Sequence, residues 1–490
     1  MTFTYTDLIE LDLGKIASAA TDWKNAAAEL AKLRTQASDG LQRKSEAARW
    51  EGVNATVTRD FVRSTAKEFD DLRREAESIH LVLTDAHAEL TRIQRQAKKL
   101  SDEARAGDPS HKPEPDLGLR IIDPGDGTVR LVETFCDVRG TSQRAKDLMQ
   151  WYADTLTGLV SHAAEVDAAT VRALRASHGG DPHNAGHATY TSLDPEQVPR
   201  AMTLASLGAK ASPAEQAELR RLWQSISPDA RAELWRLHRD DLLAAGLLNP
   251  TVKRAAPDRG SGRHDVDDPG FGDYQTRLKM RGLIYGADTI GSTDAARHMG
   301  HYLGNTGTPM ELPVDKMLSD DKDFSTHIDT MIRDEQDTWR KEALDAFAQS
   351  GGRPVALPVE LGNTDFSFDE EKDPNWFFAV GSTRSNVTGV VTVTPDHYGR
   401  PVVGLEYQVN AWDRYNWDEK KGVTIGKFEI PDGEMGRQHV VGLAREYDMA
   451  GSSSVKQYDL GSSSSNDAAL PDPDDPGRDG GRTDPGREHR

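Results

Sequence analysis

The chain has 490 residues, with 60 Lys and Arg against 80 Asp and Glu, and only 36% are hydrophobic. At about 100–200 residues per domain this length predicts two to four domains, and the lean apolar content predicts narrow-striped helices plus some unstructured sequence. The net charge of −20 argues against sequence-independent nucleic-acid binding, no apolar run is long enough for a transmembrane helix, and the single cysteine, Cys136, excludes an internal disulfide or a Cys-rich zinc site. Met1–Glu10 lacks the basic start and apolar core of a secretory signal peptide, so export by the general pathway is not expected.

The first hundred residues read as two long helices. Leu13, Ile16, Ala20, Trp23, Ala27, Leu30 and Ala37 recur at steps of three, four or seven. Thr65, Phe69, Leu72, Ala76, Ile79, Leu83, Ala86, Leu90, Ile93, Ala97 and Leu100 alternate four and three without a break. That is a heptad, coiled-coil-like seam, which predicts side-by-side packing on a partner helix. Between the two lies Arg49-Trp50-Glu51-Gly52-Val53-Asn54, where Gly52 permits a sharp reversal and Trp50 is placed to cap the open end of the seam. The expectation is an antiparallel hairpin of helices over residues 6–48 and 54–106. No proline precedes Pro109, as uninterrupted helices require.

Short apolar runs flank Asp123-Pro124-Gly125-Asp126-Gly127, which predicts a β-hairpin over 119–131. A third helix over about 140–176, with Leu148, Tyr152, Leu159, Ala163 and Val166 on one face, completes a bundle spanning 1–178. Residues 179–254 read as a linker with short helices, which start at Ser212-Pro213-Ala214-Glu215 and Ser227-Pro228-Asp229. Residues 255–272, rich in Gly, Asp, Pro and Arg, read as a flexible linker.

Residues 273–460 read as an α+β effector domain with an antiparallel sheet. Helices are expected at Asp273–Gly286, Thr293–Leu303 and His327–Gln349, and a last one over about 433–447. Strands are expected at Phe377–Val380, Gly389–Thr394, Val402–Ala411 and Gly422–Ile430, with Gly381–Thr388 and Pro395–Pro401 as connections. The tail, 461–490, is Ser/Asp/Pro/Gly-rich and expected to be disordered. The acid excess concentrates in 272–460, with 31 acids against 20 bases. This lowers the prior for a nuclease, which needs a basic track for its substrate.

The helix–Trp50-Glu51-Gly52–helix hairpin resembles the WXG100 (ESAT-6-like) proteins of type VII secretion. Tyr190-Thr191-Ser192-Leu193-Asp194 has the Tyr-x-x-x-Asp/Glu form of the family's export signal, although it follows the third helix rather than the second. Leu222-Trp223-Gln224-Ser225-Ile226-Ser227-Pro228 is similar to a stretch of multidomain actinobacterial proteins that place such a bundle before an effector domain. High Ala, Arg, Asp and Gly usage suits an actinobacterial source. The resemblance covers about residues 6–248. It implies Trp50, Gly52, Tyr190 and Asp194 as export or partner motif. It also implies a WXG100-like hairpin partner or self-association, contact with the secretion machinery, and export by a type VII-like route. The hydrolase often found in such proteins is not implied, because no Gly-x-Ser-x-Gly elbow occurs.

No Walker loop, HExxH or EF-hand pattern is present, no metal site is assigned, and the sequence names no cofactor. The densest chemistry is Trp412-Asp413-Arg414-Tyr415-Asn416-Trp417-Asp418 after a predicted strand, with His439 and Arg445-Glu446 downstream. A carboxylate there could activate water and an Arg could grip a phosphate, so Asp413, Tyr415, Asp418, His439 and Arg445 are the candidate catalytic residues. The Asp-x-Tyr-Asn pattern is similar to colicin M-type toxins, which cleave a lipid-linked envelope precursor, but their following His-Arg pair is absent here. His298 and His301, three apart on a predicted helix, read as a solvated or hydrogen-bonded pair. Three functions stand open: an exported effector with toxin activity, a non-catalytic interaction scaffold, and a hydrolase of a phosphate-containing envelope substrate.

Overall fold

The computed structural model of the chain describes residues 2–106, 118–133, 143–177, 189–250, 261–289, 291–417, 422–425 and 428–460. Cys136, Asp418 and the 461–490 tail therefore lie outside the described residues. Two compact units emerge. One holds Met1–Thr141, Met149–Ala230 and Asp240–Ala245, and the other Ser142–Leu148, Arg231–Arg239 and Gly246–Arg490.

The first unit is helical. After a short helix, Tyr5–Glu10, Asp12 caps Leu13–Thr35 through Gly14 N–H. This helix runs on through a π-helical stretch, Gln36–Gln42, into Arg43–Ala47. The return helix, Val53–Ala106, is 54 residues long. The two run antiparallel: His80 meets the Ala20 carbonyl, Arg34 pairs with Asp70, and Arg59 reaches the Ser45 carbonyl. The heptad seam is buried from Ala76 to Ala104 (Ile79, Ala86, Leu90, Ile93 and Ala97), while Leu72 on its distal half is exposed. Helix Gln143–Ser177 lies antiparallel along that return helix, with Ser177 bonded to Ser78 and His162 beside Glu89.

The predicted hairpin is present as β1 (Leu119–Ile122) and β2 (Arg130–Glu133). Gly125 and Gly127 take positive φ in its turn, and Val129 N–H donates to Thr157 of the third helix. Helices Asp194–Ala205, Pro213–Ser225 and Pro228–Ala244 follow, the last two capped by Ser212 and Ser227 as expected from their Ser-Pro starts.

The second unit is α+β. Helices Phe271–Thr289, Thr293–Leu303, Val314–Asp320 and Lys322–Gln349 precede most of a seven-stranded sheet. The sheet comprises β3 (Met310–Glu311), β4 (Val355–Glu360), β5 (Thr364–Ser367), β6 (Ser382–Pro395), β7 (Pro401–Tyr415), and two further strands that follow a separate hairpin, β8 (Gly422–Ile425) with β9 (Phe428–Pro431). Those two are β10 (Tyr447–Ser452) and β11 (Lys456–Asp459). A long hairpin, β6 with β7, forms the centre. Two short strands lie end to end on each flank, β4 and β5 on β6, and β10 and β11 on β7. All of these pairings are antiparallel except β3 with β10, which is parallel. The core forms where Phe324, Ile328, Ile332, Trp339 and Ala343, one face of Lys322–Gln349, meet Val387, Val391, Leu405, Tyr407 and Val409.

Several local expectations are corrected. Phe377–Val380 is not a strand. Asp373 accepts Trp376 N–H and Pro374 opens a helix, Pro374–Ala379, so the cap outweighs aromatic β-propensity. The supposed connection Gly381–Thr388 lies almost wholly within β6, with Ser382 and Thr383 paired to β5 and Ser385 and Thr388 paired on both sides. Gly422–Ile430 is two strands rather than one. The last helix stops at Val440, where Gly442 turns left-handed at φ 68°, and Tyr447 begins β10. Residues 261–267, expected within a flexible linker, are held. Ser261 bonds Glu446 and the Trp417 carbonyl, and the Asp265 and Val266 N–H groups donate to the His439 and Val440 carbonyls.

Candidate functional site

The first candidate site is the hairpin reversal. Gly52 adopts φ 104°, which L-residues with a side chain rarely reach. Arg59, one turn and a half into the return helix, donates to the Ser45, Ala48 and Trp50 carbonyls and so caps the end of the outgoing helix. Trp50 does not close the seam. It is 41% exposed. Beyond it Val53, Val57 and Phe61 recur every four residues and are 80%, 61% and 70% exposed, with Leu41 exposed on the outgoing helix. This distal stripe is apolar and exposed, with no cover among the described residues.

The other two residues of the expected export motif are structurally engaged. Tyr190 is buried; its N–H donates to Ser78 and its hydroxyl to Glu196. Asp194 accepts both the N–H and the hydroxyl of Ser227, the cap of the Pro228 helix.

The second candidate site is the end of β7. The five predicted catalytic residues do not converge. Asp418 lies outside the described residues. Asp413 is half-buried and shares the core-facing side of β7 with Ala411 and Tyr415, opposite Met449 in register. Tyr415 stacks on Tyr447 with ring centroids 5.2 Å apart and planes 14° from parallel. Burial holds its hydroxyl well above the usual phenol range, so it is no acid at neutral pH. The Trp417 indole N–H faces its oxygen. Arg445 is exposed and lies across Gly307.

What assembles instead is a polar knot around His439. Its Nδ1 accepts Glu446 N–H at 3.1 Å, and its Nε2 faces the Gly262 carbonyl at 3.2 Å, a pattern that fits the neutral Nε2–H tautomer. Burial pushes the imidazole pKa down, against the pull of the nearby Glu446 carboxylate. Glu446 has no exposed side-chain surface; it accepts Ser261 N–H at 2.6 Å and Arg414 at 3.2 Å. His264 stands 5.0 Å from the His439 ring and bonds Asn305, whose amide donates to the Gly442 carbonyl. Asn305 and Asp265 are the two non-glycine residues with positive φ among the described residues. Every polar group of the His439–Glu446 pair is thus spent on the protein itself. The knot fastens 261–267 to helix Asp432–Val440 and β7, and presents no free base or nucleophile.

His298 and His301 both engage Tyr447, in different ways. His298 is fully buried, with Nδ1 3.1 Å from the Tyr447 hydroxyl, whereas the half-buried His301 packs edge-on against the Tyr447 ring and bonds the Thr308 carbonyl. Among the described residues no group of three His, Cys, Asp or Glu is placed to hold a metal. No helix among them is long and apolar enough to cross a membrane. Sequence reasoning missed Ser261, His264 and Asn305, whose neighbours are remote along the chain. It reached Arg414 and Glu446 only as neighbours of its candidates. No family model, curated protein or solved structure matches the chain.

Proposed function

We propose that the chain is a type VII secretion-associated protein of the WXG100-like kind. Its helical hairpin docks a second helical hairpin for export, and its α+β unit acts as a delivered interaction module. The observation that carries this reading is the uncovered stripe of Val53, Val57 and Phe61 beside Trp50. Four apolar side chains left to water at one end of a hairpin are a surface awaiting a helix. The non-catalytic reading of the second unit is supported by the His439–Glu446–Arg414 knot, whose hydrogen-bonding groups are already used. The hydrolase reading draws on Asp413 and Tyr415, one half-buried on the core side of β7 and the other locked in an aromatic stack.

The test is secretion in the native host. The intact chain is expected in the culture medium and to copurify from cells with a small helical-hairpin protein. Val57→Asp with Phe61→Asp is expected to abolish both, while circular dichroism stays unchanged because both sites are exposed. Export and copurification that survive the double substitution would remove the proposal.

A further inference from the structure

Helix Phe271–Thr289 carries two apolar seams, where a surface helix ordinarily needs one. Thr276, Met280, Leu283 and Ala287 face inward and are buried. Phe271, Tyr274, Leu278 and Tyr285 are 79%, 53%, 71% and 77% exposed. With Arg281 they step three, four, three, four, so the outer seam is a heptad seam with one cationic position. Beside it runs a groove of about 420 Å³ lined by Arg281, Ile284, Tyr285, Thr293, Ala296 and Arg297.

Charge identifies the occupant. The domain is strongly acidic, yet the exposed Lys279 and Arg281 show no ion pair among the described side chains, and the exposed Arg297 has only the longer-range field of Asp294. Arg277 and Arg297 donate only to the Leu303 and Glu311 carbonyls, and burial together with the neighbouring Arg281 depresses the Arg277 pKa. Exposed cations beside an open heptad seam call for a ligand that is both helical and anionic.

We infer that this face binds an acidic amphipathic helix of a separate protein. The apolar seam of that helix meshes with Phe271, Tyr274, Leu278 and Tyr285, and its carboxylates meet Arg281 and Arg297. A bilayer fits less well. It has no use for a cationic residue within the seam. The site lies in the second unit, so it is independent of the hairpin stripe proposed for export.

The experiment uses the full chain and two labelled synthetic helices. Both have a Leu/Val heptad seam; one is flanked by Glu and the other by Lys. The Glu helix is expected to bind at least about tenfold tighter than the Lys helix, with affinity falling as salt rises. Leu278→Asp and Arg281→Glu are each expected to weaken it about tenfold. Circular dichroism should show both variants folded, since both side chains project from the outer face. Phe61→Asp should leave binding unchanged, which separates this proposal from the export reading. Four results would overturn it: equal binding of the two helices, no binding of either, binding only to phosphatidylglycerol vesicles, or a dimer of the chain that Leu278→Asp dissolves.

Discussion

A β-carbon on Gly451 would overlap the Leu312 carbonyl, because the β10 backbone passes β3 at that point with no room for a side chain. The overlap is with main chain, which cannot swing aside as a flexible side chain would. Gly451→Ala is therefore expected to destabilise the second unit by about 2–3 kcal/mol, read as a lowered urea midpoint with unchanged slope. A loss below about 0.5 kcal/mol, the range of an ordinary surface change, would contradict the packing. Residue identity in the sequence did not carry this information, because a glycine between Ala and Ser reads equally well as a turn. The same holds for the His439 knot. His439 was legible as a candidate and Glu446 only as the neighbour of Arg445, so their pairing across seven residues was not read. Ser261 lies 185 residues before the carboxylate it bonds, and no local periodicity links the two. The dense Asp413–Asp418 cluster stood out for its composition, yet Tyr415 and Trp417 serve an aromatic core with His298, Tyr302 and Tyr447.

Elements were legible where one period ran unbroken. The return helix repeats its seam through many heptads, so its bounds and its antiparallel partner follow from spacing alone. The Ser212 and Ser227 starts, like the Asp-Pro-Gly-Asp-Gly turn, are fixed by local hydrogen bonds that the sequence names directly. The flanking strands were not legible. β5 and β11 are four residues each, rich in Ser, Asp and Lys, and exist because β6 and β7 offer unpaired edges. What ends the hairpin also escaped the sequence, since it is a side chain from the following helix. Arg59→Ala should release the Ser45, Ala48 and Trp50 carbonyls and raise amide exchange over residues 43–58 about tenfold, equivalent to ~1.4 kcal/mol of local opening. Exchange over residues 76–104 should not change. A uniform rise along the whole hairpin, or none at the tip, would show that Arg59 does not hold the turn.

At the scale of the whole molecule, each unit buries a histidine that must remain neutral. Burial, followed by Arg92 and Arg221, lowers His162 in the first unit to about 3. Burial, followed by Arg297, lowers His298 in the second to about 4. Unfolded, both would titrate near the ordinary 6.5. The unfolded chain then binds protons that the folded chain refuses. Stability is complete above pH 6.5 and falls as pH drops toward the folded values. At about pH 5 each histidine has withdrawn about 2 kcal/mol. Asp85 and Glu165 in the first unit have carboxyl groups raised chiefly by burial. Folding favours their protonated forms, so they oppose the loss as pH falls through their raised values, while the histidine contribution declines from about pH 6.5 toward the folded values. The two units should report separately. Amide exchange over residues 152–173 follows His162, and over 293–303 follows His298. His162→Gln should flatten the pH slope of the first segment and leave that of the second intact, whatever it does to stability at neutral pH. If both slopes survive His162→Gln, or if neither segment loosens between about pH 6.5 and 5, the buried imidazoles do not govern the acid limb.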